Sequence, residues 1–263
     1  MTQEIDQRLA FSHRLAEAAG AVIRPYFRKR IDVTDKGPAG FYDPVTAADR
    51  IAEETMRSMI GASFQEDGIL GEELGEAPGK SGYRWVLDTI DGTRAFIAGQ
   101  PLWGTLIALE EQGVPVIGIL DQPFLKERFV GSNGKAELHD AAGVTPLVAR
   151  KCAQLSEALI STTHPMQHFG QAERELYWKV ERESRLSRYG GDCYAYALIA
   201  MGFIDLVIET DLKRWDIAAI IPIVEGAGGI VTDWKGRPVS GSGNVIAAGD
   251  PRVHAEAVKL LCS

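Results

Sequence analysis

Cysteine is scarce in this chain: Cys152, Cys193 and Cys262 make three, an odd number with no CxxC spacing. A disulfide framework needs dense, even-numbered cysteines, so the count points to a reducing compartment and a cytoplasmic protein. Histidine is scarce too, at five, and with no cysteine pair a zinc centre is disfavoured. Long apolar runs are missing. No segment approaches the roughly 20 residues that cross a bilayer, and the first nine residues carry Glu4 and Asp6 where a secretion signal is basic and then apolar. An excess of positive charge is missing as well. Lys and Arg number 28 against 36 Asp and Glu, and the net charge of −8 argues against a nucleic-acid backbone as partner. We therefore expect neither nucleic acid nor membrane as a partner. An acidic chain can still hold a phosphate ester if cations stand between the two, so clustered carboxylates are the feature to seek.

What is present describes an ordinary globular chain. Its 263 residues are 45% hydrophobic and 24% charged, which rules against disordered, collagen-like and coiled-coil builds and suffices for a large core. Residues 3 to 30 carry apolar side chains at Ile5, Leu9, Leu15, Ala19, Val22, Ile23 and Phe27. That spacing predicts an amphipathic helix kinked near Pro25. A polar loop containing Gly and Pro follows at 35–40, and Thr46 with Asp49 three residues on reads as a capping box opening a second helix. After Gly61, short apolar runs at 68–70, 84–87, 105–109, 114–120 and 127–130 read as meandering strands with a tight turn at Gln112-Gly113.

Further along, the elements alternate. Helices are predicted at 191–201, 215–225 and 251–261, and strands at 203–208, 229–232 and 244–248. Alternation predicts a layered, mixed α/β fold. We expect one unit over 1–263, with at most two closely packed subdomains: 1–150 carrying the metal and phosphate motifs, and 151–263 carrying substrate-pocket residues.

Three acidic segments stand out: Gly71-Glu72-Glu73, Asp88-Thr89-Ile90-Asp91-Gly92-Thr93, and Trp215-Asp216. Each alone has an ordinary reading. A Glu pair is commonly a solvated surface, Asp-Gly is a frequent turn, and Asp216 could cap the helix beside it. Context changes the weighting. Asp88 follows the apolar run Trp85-Val86-Leu87, so it sits where a buried strand emerges, and Asp91 is three residues on. Burying several carboxylates without partners costs several kcal/mol per ion. A hard divalent cation with oxygen ligands, such as Mg²⁺, removes that cost. Gly92 lets the backbone pass close to a bound group, and the turn from Thr93 can aim free N–H groups at an anion. Metal-holding carboxylates beside phosphate-holding amides make the constellation of metal-assisted phosphoryl transfer.

These residues resemble the inositol monophosphatase family over nearly the whole chain, including Asp43-Pro-Val-Thr-Ala-Ala-Asp49 near the start and Gly226-Ala-Gly-Gly229 near the end. The resemblance implies a layered α-β-α-β-α sandwich, commonly a homodimer, and a Mg²⁺-dependent phosphomonoesterase using two or three ions and a metal-activated water. It implies that Glu72, Asp88 and the Ile90 carbonyl, helped by Thr93, hold one ion. Asp88, Asp91 and Asp216 would hold a second. It implies catalytic roles for Asp49, Thr93 and Glu72, with Asp49 near the Thr93 hydroxyl orienting and deprotonating the attacking water. The Gly92 and Thr93 amides would hold the phosphate. Many members carry Pro where this chain has Thr89, so Thr89 must be held by other contacts.

The segment from Phe96 through Trp103 to Leu109, and Tyr189-Gly-Gly191-Asp192-Cys-Tyr-Ala-Tyr196, look like the histidinol-phosphatase branch. That implies Gly191, Asp192, Glu209 and Trp103 in the substrate pocket. Asp192 and Glu209 suit the ammonium and imidazole of histidinol phosphate, and Trp103 or Tyr189 could face an imidazolium. The expected activity is histidinol-phosphate phosphatase in histidine biosynthesis. The alternatives are an inositol-1-monophosphatase or nucleotide-3′-phosphate phosphatase, and more remotely a non-catalytic binding protein. Lys36 in the polar loop, and His164 and His168 in a later loop that could reach a neighbouring subunit, carry no assigned role.

Overall fold

The computed structural model describes residues 3–30, 32–35 and 44–263. Lys36 and Asp43 lie outside these. Helix α1 (Gln3–Ile23) buries Phe11, Leu15, Ala19 and Ile23. It stops at Ile23 and gives way to turns, where a kinked helix to 30 was expected. The reason is Pro25, which lacks an N–H and disfavours helical backbone at the residue before it. Strands β1 (Val33–Asp35) and β2 (Pro44–Thr46) pair antiparallel. Helix α2 (Ala47–Ser63) then opens on the predicted capping box of Thr46 and Asp49.

Strands β3 (Gly68–Gly71), β4 (Gly75–Ala77) and β5 (Tyr83–Asp91) begin a sheet. After the short helix α3 (Thr93–Ile97) it continues through β6 (Gly104–Glu111), β7 (Val114–Gln122), β8 (Glu127–Ser132), β9 (Lys135–Asp140) and β10 (Gly143–Pro146). Among the described residues it has eight strands in the order β10-β9-β8-β7-β6-β5-β3-β4. A five-stranded sheet follows, built from β11 (Leu159–Thr162), β12 (Leu186–Tyr189), β13 (Leu206–Leu212), β14 (Ile230–Asp233) and β15 (Gly243–Ala248), in the order β12-β11-β13-β15-β14. Its helices are α4 (Pro165–His168), α5 (Gln171–Glu183), α6 (Tyr194–Ala200), α7 (Arg214–Ile217), α8 (Ile220–Gly226) and α9 (Pro251–Leu261).

Period-2 alternation along the strands produces the layers. Trp85, Leu87, Ile107 and Leu109 face α1 and α2, while Val86, Leu106, Ala108 and Leu120 face α6 and α8. In the smaller sheet Val207, Val245 and Ala247 turn toward α6 and α8, and Leu206, Ile208 and Ile246 turn toward α5 and α9. The result is the expected α-β-α-β-α sandwich. Helix α8 lies directly on the larger sheet, because Gly118 and Gly131 leave room: a Cβ on either would collide with the backbone at Ala219 or Pro222. The helix predicted over 215–225 is two pieces, α7 and α8, since Pro222 has no N–H to offer the preceding turn. No helix among the described residues is long and apolar enough to cross a membrane.

Candidate active site

Asp88 and Asp91 stand three apart on β5, where a regular strand would aim them at opposite faces. A bulge corrects this. Asp88 pairs with Leu106 and Asp91 with Gly104, so three steps on β5 match two on β6. Both carboxylates then turn toward the layer between the sheets. Asp216, at the third position of α7, arrives from the other sheet, its Oδ2 accepting the Lys213 N–H at 2.7 Å. Asp88, Asp91 and Asp216 each offer a ligand oxygen within 4.8 Å of the others. Asp88 Oδ1 is buried with no hydrogen-bond partner among the described residues. Burial, and then the neighbouring charges of Glu72, Asp91 and Asp216, push the Asp88 carboxyl well up. Burial and Asp192 push Asp91 up to about 7. Three crowded carboxylates with an orphaned oxygen are the donor set of a hard divalent cation, so the residues present fit Mg²⁺.

Supporting contacts come from both sides. Thr89 is held by two bonds: its Oγ1 donates to the Asp49 carbonyl at 3.2 Å, and its carbonyl accepts from Thr105 Oγ1 at 2.8 Å. Glu53 on α2 is fully buried and accepts from Glu73 N–H (2.9 Å), Leu74 N–H (3.3 Å) and Arg57 (2.7 Å), which fastens the turn carrying Glu72. Arg214, two residues before Asp216, reaches across to buried Glu110 on β6 at 2.5 Å. Cys193 N–H donates to Asp91 Oδ2 at 2.9 Å, and burial pushes its thiol well up, so this cysteine packs and positions.

These acids open on a cleft of about 370 Å³ lined by Glu72, Asp88, Ile90, Asp91, Gly92 and Thr93 on one side. Asp192, Glu209 and Asp216 line the other. Gly92 adopts φ 84°, and a Cβ there would sit 3.0 Å from Asp192 Cβ, so only the bare backbone fits. Thr93 Oγ1 donates to the Ile90 carbonyl at 3.0 Å. Glu209 accepts from Thr163 N–H (2.6 Å), Thr163 Oγ1 (2.8 Å) and Thr162 Oγ1 (3.2 Å), and burial still holds its carboxyl up at about 7. Burial raises Asp192 to about 6, against the pull of Arg94. No side-chain bond caps α6, so Asp192 is not spent on its helix.

Several expected residues stand elsewhere. Trp103 does not line the cleft: it is 0% exposed, packed on Phe27 and Phe96 with ring centroids 5.3 and 4.9 Å away. A large ring just before β6 gains more from that core than from solvent. Asp49 is turned to its own cap, with Oδ2 accepting from Thr46 N–H (2.8 Å) and Oγ1 (2.6 Å), and it lies behind the cleft wall rather than bonded to Thr93. Burial lifts it to about 6. Gly191 is half-buried beside the cleft without lining it, and Tyr189 is 48% exposed and bonded to Glu181.

Two more cleft residues carried little sequence signal. His168, expected with His164 in a loop that could reach a neighbouring subunit, faces its own chain's cleft and meets Arg94 at 2.8 Å, while His164 does not line it. Burial and Arg94 push its imidazole down to about 4, so it is neutral and accepts from the guanidinium. Among the described residues, the group able to hold a metal is Asp88, Asp91 and Asp216. Tyr196 lines the cleft as well. Its place two residues past Cys193-Tyr194 on α6 was the available hint.

Comparison with known proteins agrees with this geometry. The sequence model of the inositol monophosphatase family matches residues 4–263. The chain is 44% identical to the bifunctional phosphatase IMPL2, chloroplastic, of Arabidopsis thaliana, over 98% of this chain and 76% of that protein. It is 36% identical to a histidinol-phosphatase of Chlorobaculum parvum, over 91% of each. The solved structure of an inositol monophosphatase from Zymomonas mobilis superposes with a TM-score of 0.87 at 42% identity, covering all of both chains.

Proposed function

The chain belongs to the inositol monophosphatase family, and from that membership we propose a Mg²⁺-dependent histidinol-phosphate phosphatase of histidine biosynthesis. The phosphatase class follows from the family. The metal requirement rests on one observation above all: buried Asp88, whose Oδ1 has no partner among the described residues, offers a ligand oxygen within 4.8 Å of those of half-buried Asp91 and Asp216. Glu72, Asp88, the Ile90 carbonyl, Asp91 and Asp216 would hold two or three ions. Bound Mg²⁺ supplies Lewis-acid polarisation of the phosphoryl group and acidifies a water.

The chain's own residues do the rest. Thr93 and Glu72 face the cleft and orient the attacking water. Asp49 supports them from behind, its charge close enough to raise Asp88. The amides of Gly92 and Thr93 receive the phosphoryl oxygens where no side chain fits. Asp192 and Glu209 carry carboxylates at the far side of the cleft, matched to the ammonium and imidazole of histidinol phosphate. The similarity to a named histidinol-phosphatase supports the same substrate. A second reading, hydrolysis of an inositol monophosphate, is favoured by the Zymomonas mobilis likeness and by carboxylates that also bind sugar hydroxyls.

Phosphate release with and without Mg²⁺, from histidinol phosphate, myo-inositol 1-phosphate and adenosine 3′,5′-bisphosphate, decides between them. We expect Mg²⁺-dependent release fastest from histidinol phosphate. Asp192→Asn should lower kcat/KM for that ester by roughly 10- to 150-fold, the value of one charge-assisted hydrogen bond. Equal turnover of the inositol ester overturns the substrate; no release from any ester overturns the mechanism. We further propose a cytoplasmic homodimer, supported by the cysteine count and by the exposed edge strand β10 with Val144 and nearby Val148. A monomeric mass in light scattering refutes the dimer.

A further inference from the structure

Among the described residues, the other buried tyrosines all find carboxylates. Tyr83 donates to Glu4 and Glu111 at 3.2 Å, Tyr194 to Glu127 at 2.5 Å, and Tyr177 to Glu181 at 3.5 Å. Tyr196 does not. It is 3% exposed, lines the cleft, and its hydroxyl has no hydrogen-bond partner among the described residues. An unpaired buried hydroxyl is destabilising, so its persistence needs a reason. The reason lies in the surroundings. Glu209, the acceptor whose charge acts on it most strongly, is already bonded to Thr162 and Thr163. The remaining acids around it, Asp91 and Asp216, belong to the metal-holding set. Helix α6 packs against the core and holds the ring in place, so the hydroxyl does not swing out to water. Tyr196 thus lines the same cleft as Asp192 and Glu209, where the organic part of a phosphate ester would lie, with its buried hydroxyl unsatisfied among the described residues.

We propose that the Tyr196 hydroxyl is a specificity-determining group that hydrogen-bonds a nitrogen or hydroxyl substituent on the alcohol part of the substrate. The inference rests on the phosphatase reading above and deepens it. The hydroxyl serves as donor or acceptor, so it completes a polar wall with Asp192 and Glu209 without adding a charge. A site of this kind rejects alcohols lacking the matching substituent, because the buried group is then left unpaired.

Tyr196→Phe tests this while keeping the ring and its packing. Four measurements are made: kcat/KM for histidinol phosphate and myo-inositol 1-phosphate and inhibition by inorganic phosphate, both at saturating Mg²⁺, the Mg²⁺ concentration for half-maximal rate, and the thermal midpoint of metal-free protein. We expect kcat/KM to fall about 3- to 100-fold for the preferred ester, mainly through KM. Inhibition by inorganic phosphate and the Mg²⁺ concentration for half-maximal rate should stay within about twofold, since neither involves the alcohol. The metal-free midpoint should hold or rise. A fallen midpoint would mean the hydroxyl is bonded in the resting protein, and would overturn the proposal. A shifted phosphate inhibition or Mg²⁺ requirement would place the hydroxyl on the metals or the phosphate and overturn it equally. Unchanged kcat/KM in an active enzyme sinks this inference alone. A wild-type protein that hydrolyses no ester sinks the phosphatase reading and this inference with it.

Discussion

Neutralising Asp88 should make the metal-free protein more stable and the Mg²⁺-loaded protein less so. Ligand oxygens of Asp88, Asp91 and Asp216 lie within 4.8 Å of one another. At that separation and an effective dielectric of about 20, each charged pair repels by about 3.5 kcal/mol. Asp88 takes part in two of the three pairs, so with all three ionised its charge accounts for about 7 kcal/mol, before the further repulsion from Glu72. Proton uptake already relieves much of this, since Asp91 is held up at about 7. We therefore expect Asp88→Asn to stabilise metal-free protein by about 1–3 kcal/mol, a rise of about 3–10 °C in a chain of this length. Excess Mg²⁺ at about 100 times its Kd should stabilise wild type by about 2.7 kcal/mol and the variant far less. Differential scanning calorimetry at pH 8, with chelator and then with Mg²⁺, reads both numbers. Phosphate release should disappear in the variant. A lower metal-free midpoint for Asp88→Asn, or a retained Mg²⁺ shift, would refute the idea that these carboxylates are crowded for a cation.

The pH dependence of the metal-free protein has a definite sign. Asp91 and Glu209 at about 7, and Asp192 at about 6, sit above their ordinary values, so the folded state keeps protons that the unfolded state has released. The stability they contribute is present at low pH and lost as pH climbs through about 7. The chelated midpoint should fall between pH 5 and 8 while the Mg²⁺ shift grows; a flat chelated profile would count against the shifts. Glu110→Ala strands the buried Arg214 guanidinium and should cost about 3–5 kcal/mol. Because Arg214 anchors the turn bearing Asp216, the same variant should also need more Mg²⁺, read by titrating activity. Trp103→Ala should cost about 3–5 kcal/mol of stability by denaturant unfolding. Trp103→Phe should leave KM within about twofold, and a large KM change there would return Trp103 to the pocket.

Much of the fold was legible before any coordinate. Capping chemistry is local, so Thr46 and Asp49 announced α2, and Asp250-Pro251 stands where α9 starts. Short apolar runs marked β3 and β5 to β8, because burial on both faces demands continuous apolar residues. Helix α5 escaped notice since only Tyr177 and Val180 are buried along it, too few for a periodic signal. The strands β10 and β12 escaped because most of their residues are solvent-facing, β9 because only two of its six are buried, and β11, buried at three of four, because four residues are too few for a periodic signal.

For the site, the identity of the acids was written in the chain: Glu72, Asp88, Asp91, Asp192, Glu209 and Asp216 all line one cleft. Their residue types and the adjoining apolar runs limited the chemistry to oxygen ligands. Convergence was not written there. It took a one-residue bulge to bring Asp88 and Asp91 to one side, and a second sheet to deliver Asp216 opposite them. Only tertiary packing sent Trp103 into the core and left the Tyr196 hydroxyl without a partner among the described residues. Residue chemistry and local turns act over a few neighbours and can be read along the chain. Which groups end up buried together depends on how strands and helices from distant segments stack, and that is decided by the folded molecule as a whole.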